Sequence, residues 1–262
     1  MTALPSALAH WPELARRLAG RRPVVFLDFD GTLAPIVERP EEAGMPEPTR
    51  RAVERLAARV PVAVVSGRRR EDVAAKVGMP GLVYAGSHGF DLGGPGFAEE
   101  VAPELPPLVE RVAAGLAEEL ANVPGVEVEP KRWTAAVHYR RAAAADVPRV
   151  RTAVERAAAA HPELVVAGGK KVFEVRPALA WDKGRAVLHL LARLGLDGPA
   201  ALPVYLGDDV TDEDAFRALA ERPGGGVGVR VADEPADSAA QYSLASPAEV
   251  PELLDRIADA VD

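Results

Sequence analysis

Short apolar runs alternate with helical periodicity along most of the 262 residues. Pro23 to Leu27, Val60 to Val65, Leu82 to Ala85 and Pro203 to Leu206 carry no charged residue, and Val227 to Val231 carry one. Runs of this length and character predict strands buried on both faces. Amphipathic patterns lie between them. Residues 5–20 place Trp11, Leu14 and Leu18 on one face; Pro48 and Thr49 open a helix containing Val53 and Leu56. A further helix starts near Arg69, another spans 183–194 with Val187, Leu190, Leu191 and Leu194 on its apolar side, and a last one spans about 247–260. Strand, helix, strand at this spacing makes neighbouring strands parallel. The expected class is α/β around a parallel sheet.

The pattern changes from about 97 to 176. Helices near 104–121 and 147–160 accompany strands near 126–130, 133–140, 163–167 and 171–176. These strands alternate in polarity, as in an antiparallel sheet with one exposed face. Gly93-Gly94-Pro95-Gly96 reads as a linker into this segment, and Arg176-Pro177 ends it. The expected organisation is a core of residues 1–96 and 177–262 with an inserted α+β domain, 97–176. That insert carries Lys131, Arg132, His138, Arg140, Lys170, Lys171 and Glu174. Each alone reads as part of a solvated face. As a group they predict a locally basic surface suited to an anionic ligand, with Glu174 suited to hydroxyl groups.

Chemistry-bearing residues recur where the core strands end. Asp28 and Asp30 follow the first strand, and Gly31 lets the chain turn at Thr32. Two acids beside an apolar run are costly to place unless something positive joins them. A hard cation such as Mg²⁺ fits, because it takes one or two carboxylates and completes its shell with water and phosphate oxygens. The second strand ends in Ser66-Gly67-Arg68. The Ser66 hydroxyl there suits either a phosphate oxygen or the cap of the next helix, and Gly67 allows close approach. The third ends in Gly86-Ser87-His88-Gly89, with His88 a substrate contact or a partner for a loop carbonyl. Lys183 opens a helix, where its charge opposes the dipole but favours the same anion the helix start does. Asp208 to Asp214 hold five acids. Thr211 as a cap, with Asp212, Glu213 and Asp214 in the first turn, accounts for part of them. Asp208 has no such account and is the next expected metal ligand.

Charge and composition narrow the classes. A net charge of −8 without a basic stripe disfavours nucleic acid. The absence of cysteine excludes disulfides, thiolate metal sites and a cysteine nucleophile. The first ten residues have no basic start and no long apolar stretch, and no window is apolar enough to span a bilayer. A cytoplasmic protein with no membrane partner is expected. Only five of 31 basic residues are lysine, and Lys131, Lys170, Lys171 and Lys183 fall in the segments already singled out.

Asp28-Phe29-Asp30-Gly31-Thr32, Ser66, Lys183 and Gly207-Asp208-Asp209, in that order and at those strand and helix ends, resemble the haloacid dehalogenase-like phosphatases. The resemblance spans nearly the whole chain. It implies a Rossmann-like core with a C2-type cap at 97–176. A finer likeness rests on Gly207-Asp-Asp-Val-Thr-Asp-Glu-Asp-Ala-Phe216, Ser66-Gly-Arg68, Gly86-Ser-His-Gly89, His138-Tyr-Arg140 and Gly169-Lys-Lys-Val-Phe-Glu-Val-Arg-Pro177. These are similar to the trehalose-6-phosphate phosphatase family. Some relatives have glutamate where this chain has the shorter Asp91.

That likeness implies a mechanism. Asp28 would attack phosphorus and form an aspartyl-phosphate. Asp30 would act as acid and then base. Mg²⁺ would be held by Asp28, the Asp30 backbone carbonyl and Asp208, with Asp212 behind them. Ser66 and Lys183 would bind phosphoryl oxygens. Gly67, Arg68, His88, Lys131, Arg140, Lys170 and Glu174 are the expected substrate contacts, and cap closure would exclude water. A functional link to trehalose-6-phosphate synthase is the implied partnership. The alternatives are a phosphatase for sucrose phosphate or mannosylphosphoglycerate, a phosphoglycomutase, or a non-catalytic partner of a sugar-phosphate synthase.

Overall fold

Val24, Val25, Phe26 and Leu27 have no exposed surface, and together they form the middle of the main sheet as part of β1 (Arg22–Leu27). The computed structural model describes residues 4–169, 171–232, 234 and 236–261. Lys170 lies outside them. Contacts divide the chain into two units, Met1–Val101 with Trp181–Asp262, and Ala102–Ala180.

In the first unit α1 (Trp11–Leu18) precedes β1, and α2 (Glu47–Ala57), β2 (Val62–Val65), α3 (Arg70–Val77) and β3 (Val83–Gly86) follow it. β4 (Asp91–Gly94) and β5 (Phe97–Glu100) close this stretch. The second unit holds α4 (Pro106–Leu120), β6 (Glu127–Lys131), β7 (Thr134–His138), α5 (Val147–Ala159), β8 (Leu164–Gly169) and β9 (Val172–Pro177). The chain then returns through α6 (Lys183–Arg193), β10 (Ala201–Gly207), α7 (Asp212–Glu221), β11 (Val227–Val231), β12 (Tyr242–Leu244) and α8 (Val250–Asp259).

The main sheet has the order β12-β11-β10-β1-β2-β3-β4-β5. β12 through β3 are parallel, and β4 and β5 are antiparallel. Alternate residues of β1 enter different cores. Val25 and Leu27 pack with Leu14, Leu56 and Leu253, whereas Val24 and Phe26 pack with Val187, Leu190 and Phe216. Helices therefore cover both faces, which is what makes these strands uniformly apolar. From β1 the chain moves outward one way through β2 and β3, and the other way through β10, β11 and β12. The reversal falls between β1 and β10. In an open α/β sheet, ligands bind beyond the strand ends at such a point. Asp28 and Asp208 directly follow these two strands.

The second unit's sheet, β6-β7-β9-β8, is antiparallel throughout. Val137, Phe173 and Val175 pack on Val109, Val112, Leu116, Val150 and Val154 of α4 and α5. Its other face carries Glu127, Glu129, Lys131, His138, Glu174 and Arg176 by alternation along the paired strands.

Several expectations require correction. The first helix covers only Trp11–Leu18, because the chain before it is a turn with a bridge from Ser6 to Ser243. Gly93-Gly94-Pro95-Gly96 is not a linker. It is half of a hairpin in which Gly93 pairs with Ala98 and Gly94 with Phe97, turned by Pro95 and Gly96 at φ +81°. Residues 97–101 therefore belong to the first unit, and the insert runs from Ala102 to Ala180 rather than from 97 to 176. The sheet surface of the insert is mixed in charge rather than basic. Three acids alternate with Lys131, Arg176 and His138, and Lys131 sits at the opposite end of the sheet from His138. Lys171 and Arg140 lie at that far end, in turns beyond the strands.

Candidate active site

The centre of the site is a chain of buried charges. Asp28 is 4% exposed and Lys183 3%. Lys183 Nζ donates to Asp28 Oδ1 at 2.8 Å and to Asp212 Oδ1 at 2.7 Å. The backbone of α6 delivers the lysine, because the Asp182 side chain caps that helix at the Arg185 N–H. Gly184 lets α6 approach α7 closely, since a Cβ there would lie 2.3 Å from the Asp214 carbonyl oxygen.

Asp212 is fully buried and holds four donors. Lys183 and the Tyr205 hydroxyl (2.6 Å) reach Oδ1, and the N–H groups of Asp208 and Asp209 reach Oδ2 at 3.0 Å each. Its carboxylate lies against Gly207, where a Cβ would come within 2.3 Å of its Cγ. Thr211, expected to cap α7, makes no side-chain cap bond. The Asp212 carboxylate bonds those two loop amides, and the capping reading is corrected accordingly.

Asp208 differs from its neighbours. Its Oδ1 is buried and makes no hydrogen bond. Burial, with the Asp212 and Asp209 charges adding to it, pushes its carboxyl up to about 7. Burial also pushes Asp28 up, against the pull of Lys183. For Lys183, burial works to lower the value, and the Asp28 and Asp212 carboxylates outweigh it, so the ammonium is held above its ordinary range. Carboxylate oxygens of Asp28, Asp208 and Asp212 lie within 4.8 Å of one another. Since Asp212 already accepts four bonds, Asp28 and Asp208 are the pair with capacity for a cation. Gly31 fits this cluster closely, with φ +83° and a position where a Cβ would lie 2.1 Å from Asp208 Oδ2.

Asp30 sits outside that cluster. Arg68 grips both of its oxygens, at 2.7 Å each, and also binds Asp72 and the Pro40 carbonyl. Arg68 lies 5.5 Å over the Phe29 ring. Ser66 is 1% exposed, and its Oγ accepts from the Arg68 N–H at 3.2 Å. Ser87 and His88 both have left-handed backbones, with φ 50° and 57°. Such strain in two consecutive non-glycine residues persists only where surroundings enforce it. Here the N–H groups of Ser87 and His88 donate to the carbonyls of Arg68 and Ser66, and the His88 ring lies over Gly67, 2.9 Å from where a Cβ would stand.

The first unit thus gathers Asp28, Asp208, Asp212 and Lys183 into one cluster, with Asp30 joined to Arg68, and Ser66, Gly67 and His88 joined at the next strand end. The second unit holds the others. Lys131 pairs with Glu129 at 3.3 Å, Arg140 is exposed, and Glu174 stands half-buried opposite Ala136 and Ala167. Asp91 pairs with Arg70 Nε at 2.7 Å and is 3% exposed. Sequence reasoning missed three side chains. Tyr205 was hidden in an apolar strand. Thr32, whose Oγ1 is buried without a partner, looked like part of a turn. Arg70 looked like a helix-start residue. Tyr205 and Arg70 are set apart only by their acid partners in space, and Thr32 only by its burial.

A family model described as Trehalose-phosphatase matches residues 26–248. The trehalose-phosphate phosphatase of Mycobacterium avium (strain 104) is 46% identical over 270 residues, covering 100% of this chain and 68% of that protein. The solved structure of Aspergillus fumigatus trehalose-6-phosphate phosphatase is 29% identical, with TM-score 0.72 over 99% of this chain and 100% of that one. A haloacid dehalogenase-like hydrolase from Bacteroides thetaiotaomicron shares the fold, with TM-score 0.64 and 15% identity over 90% of this chain and 100% of that one. On a match that spans both halves of the first unit and all of the second, the chain belongs to the trehalose-phosphatase family.

Proposed function

We propose that this chain hydrolyses trehalose 6-phosphate to trehalose and phosphate, with Mg²⁺ bound and through an aspartyl-phosphate on Asp28. Family membership supports the substrate. The observation that carries the chemistry is the buried Asp28 carboxylate, paired with Lys183 beside the unpartnered Asp208 Oδ1.

The site suits a hard divalent cation. Its free donors are carboxylate oxygens, and one of them is buried with nothing to bind. Asp28 and Asp208 would hold the ion, and Asp212 would order the Asp208–Asp209 backbone behind them. When bound, Mg²⁺ supplies positive charge that offsets an anionic nucleophile meeting an anionic ester.

The residues then divide the work. An Asp28 oxygen attacks phosphorus, and the bond from phosphorus to the sugar oxygen breaks. Asp30 gives its proton to that oxygen. Both Asp30 oxygens are gripped by Arg68, so Asp30 has to turn out of that clamp first. Asp30 next takes a proton from water, the water oxygen attacks phosphorus, and phosphate leaves with Asp28 restored. Lys183 and Ser66 stabilise the phosphoryl oxygens. Gly67, Arg68, His88, Lys170 and Glu174 are candidates for the sugar, and Lys131 and Arg140, at opposite ends of their sheet, are alternatives to each other. Trehalose-6-phosphate synthase, as the source of the substrate, is the assigned functional neighbour.

The direct test is Asp28→Asn, with sodium borohydride added to the working wild-type enzyme. Turnover should vanish in the variant while its fold stays intact, and borohydride should convert Asp28 of the phosphoenzyme to homoserine. Phosphate release undiminished in Asp28→Asn would remove Asp28 as nucleophile.

A further inference from the structure

Granted the chemistry assigned to Asp28 and Lys183, we propose that Tyr205 is a positioning residue for that reaction: its hydroxyl keeps the Lys183 ammonium shared between Asp212 and Asp28.

Tyr205 is fully buried in β10. A phenylalanine would fill the same space, and a buried hydroxyl is costly unless it is bonded. This one donates to Asp212 Oδ1 at 2.6 Å, the same oxygen that accepts from Lys183 at 2.7 Å. The ring has little freedom to swing away. It meets Phe216 edge-on, with centroids 5.7 Å apart and planes at 83°.

Lys183 faces two carboxylates across nearly equal distances, 2.7 Å to Asp212 and 2.8 Å to Asp28. Its position between them depends on how strongly each attracts it. Asp212 is the more deeply buried and therefore the stronger attractor if left with amide partners alone. The Tyr205 O–H occupies a lone pair of the contested oxygen and spreads its negative charge. That weakens the pull of Asp212 and leaves Lys183 bonded to Asp28. Removing the hydroxyl while keeping the ring should let Lys183 withdraw toward Asp212, away from the attacking carboxylate.

The test is Tyr205→Phe, with 3-fluorotyrosine at the same position as a second variant. Losing one hydrogen bond to a charged group predicts a kcat about tenfold lower, from a contribution of roughly 1.5 kcal/mol. KM should rise by less than kcat falls, because Lys183 also meets the phosphoryl oxygens while its bond to Asp28 serves the attack. 3-Fluorotyrosine keeps the O–H and makes it a stronger donor, so kcat should stay at the wild-type level. Crystals of Tyr205→Phe should show Lys183 Nζ beyond hydrogen-bond distance of Asp28 Oδ1. A kcat within about twofold of wild type, an equal loss with fluorotyrosine, or Lys183 still bonded to both acids would each overturn the inference. A wild-type chain that releases no phosphate from trehalose 6-phosphate overturns the phosphatase reading instead, and the Lys183 position still reports on Tyr205.

Discussion

Lys183 Nζ lies 2.8 Å from Asp28 Oδ1, with both side chains almost wholly removed from solvent. Among the described residues the lysine is the one cation that Asp28 and Asp212 share. Its removal takes the paired cation from two buried acids and leaves Asp212 only neutral donors. Lys183→Met is therefore expected to destabilise the fold by about 3–5 kcal/mol at neutral pH. It should also abolish turnover. The stability loss should shrink in acid, where Asp28, already pushed up by burial, takes up a proton. Urea denaturation at several pH values checks this, and a pH-independent loss would point to packing instead.

Asp208 gives a metal prediction with a defined sign. Its carboxyl is raised to about 7 in the fold, above the ordinary carboxylate range. Stability from such a group is present in acid and lost as pH rises through that value. A cation needs the ionised form and expels the proton. Mg²⁺ should therefore raise the melting temperature more at about pH 8 than at about pH 6. Asp208→Asn should remove the response. Equal stabilisation at both pH values would contradict the assignment.

Gly31 links backbone geometry to the same cluster. Alanine there would place a Cβ 2.1 Å from Asp208 Oδ2 at a φ of +83°. Gly31→Ala should weaken Mg²⁺ half-saturation by at least about tenfold, through displacement of Asp208 and backbone strain. Gly198→Ala is the control, because it has open space around it and an ordinary φ. Titrating activity with Mg²⁺ in both variants separates the site effect from a general glycine effect.

Arg68 holds Asp30 by two parallel bonds and ties it to the Pro40 carbonyl and Asp72. Lysine cannot reproduce that fork. Because Asp30 has to leave that fork to act, Arg68→Lys should leave kcat within about twofold of wild type or raise it, with KM rising as the substrate contact weakens and little change in melting temperature. Steady-state kinetics beside thermal melts decides it, and a kcat lower by about tenfold would contradict a clamp that Asp30 must leave.

The core was legible because its strands are buried on both faces. Pro23 to Leu27 and Pro203 to Leu206 could hardly be anything else, and their acids had to emerge at strand ends. The strand-end placement of Asp28 and Asp208 followed from that, whereas Lys183, at a helix start, was joined to them by the family resemblance. Where local chemistry was ambiguous, the reading failed. Glycines 93 and 94 belong to a hairpin strand because Phe97 and Val83 pack against Gly94, a fact no turn signal carries. Glu127, Glu129 and Glu174 share a face with Lys131 and Arg176 only once strand register is known. Tyr205 sits in an apolar run and meets Asp212 only through the fold. The clamp of Arg68 on Asp30 likewise joins residues from separate strand ends.

The most direct test is phosphate release from trehalose 6-phosphate, glucose 6-phosphate, sucrose 6-phosphate and mannosyl-3-phosphoglycerate, each with Mg²⁺ and with a chelator. The expected result is strong Mg²⁺-dependent preference for trehalose 6-phosphate, lost on chelation. Preference for another member would contradict the sugar assignment and leave the core chemistry standing. Release that is indifferent to the chelator would contradict the metal-assisted role given to Asp28 and Asp208.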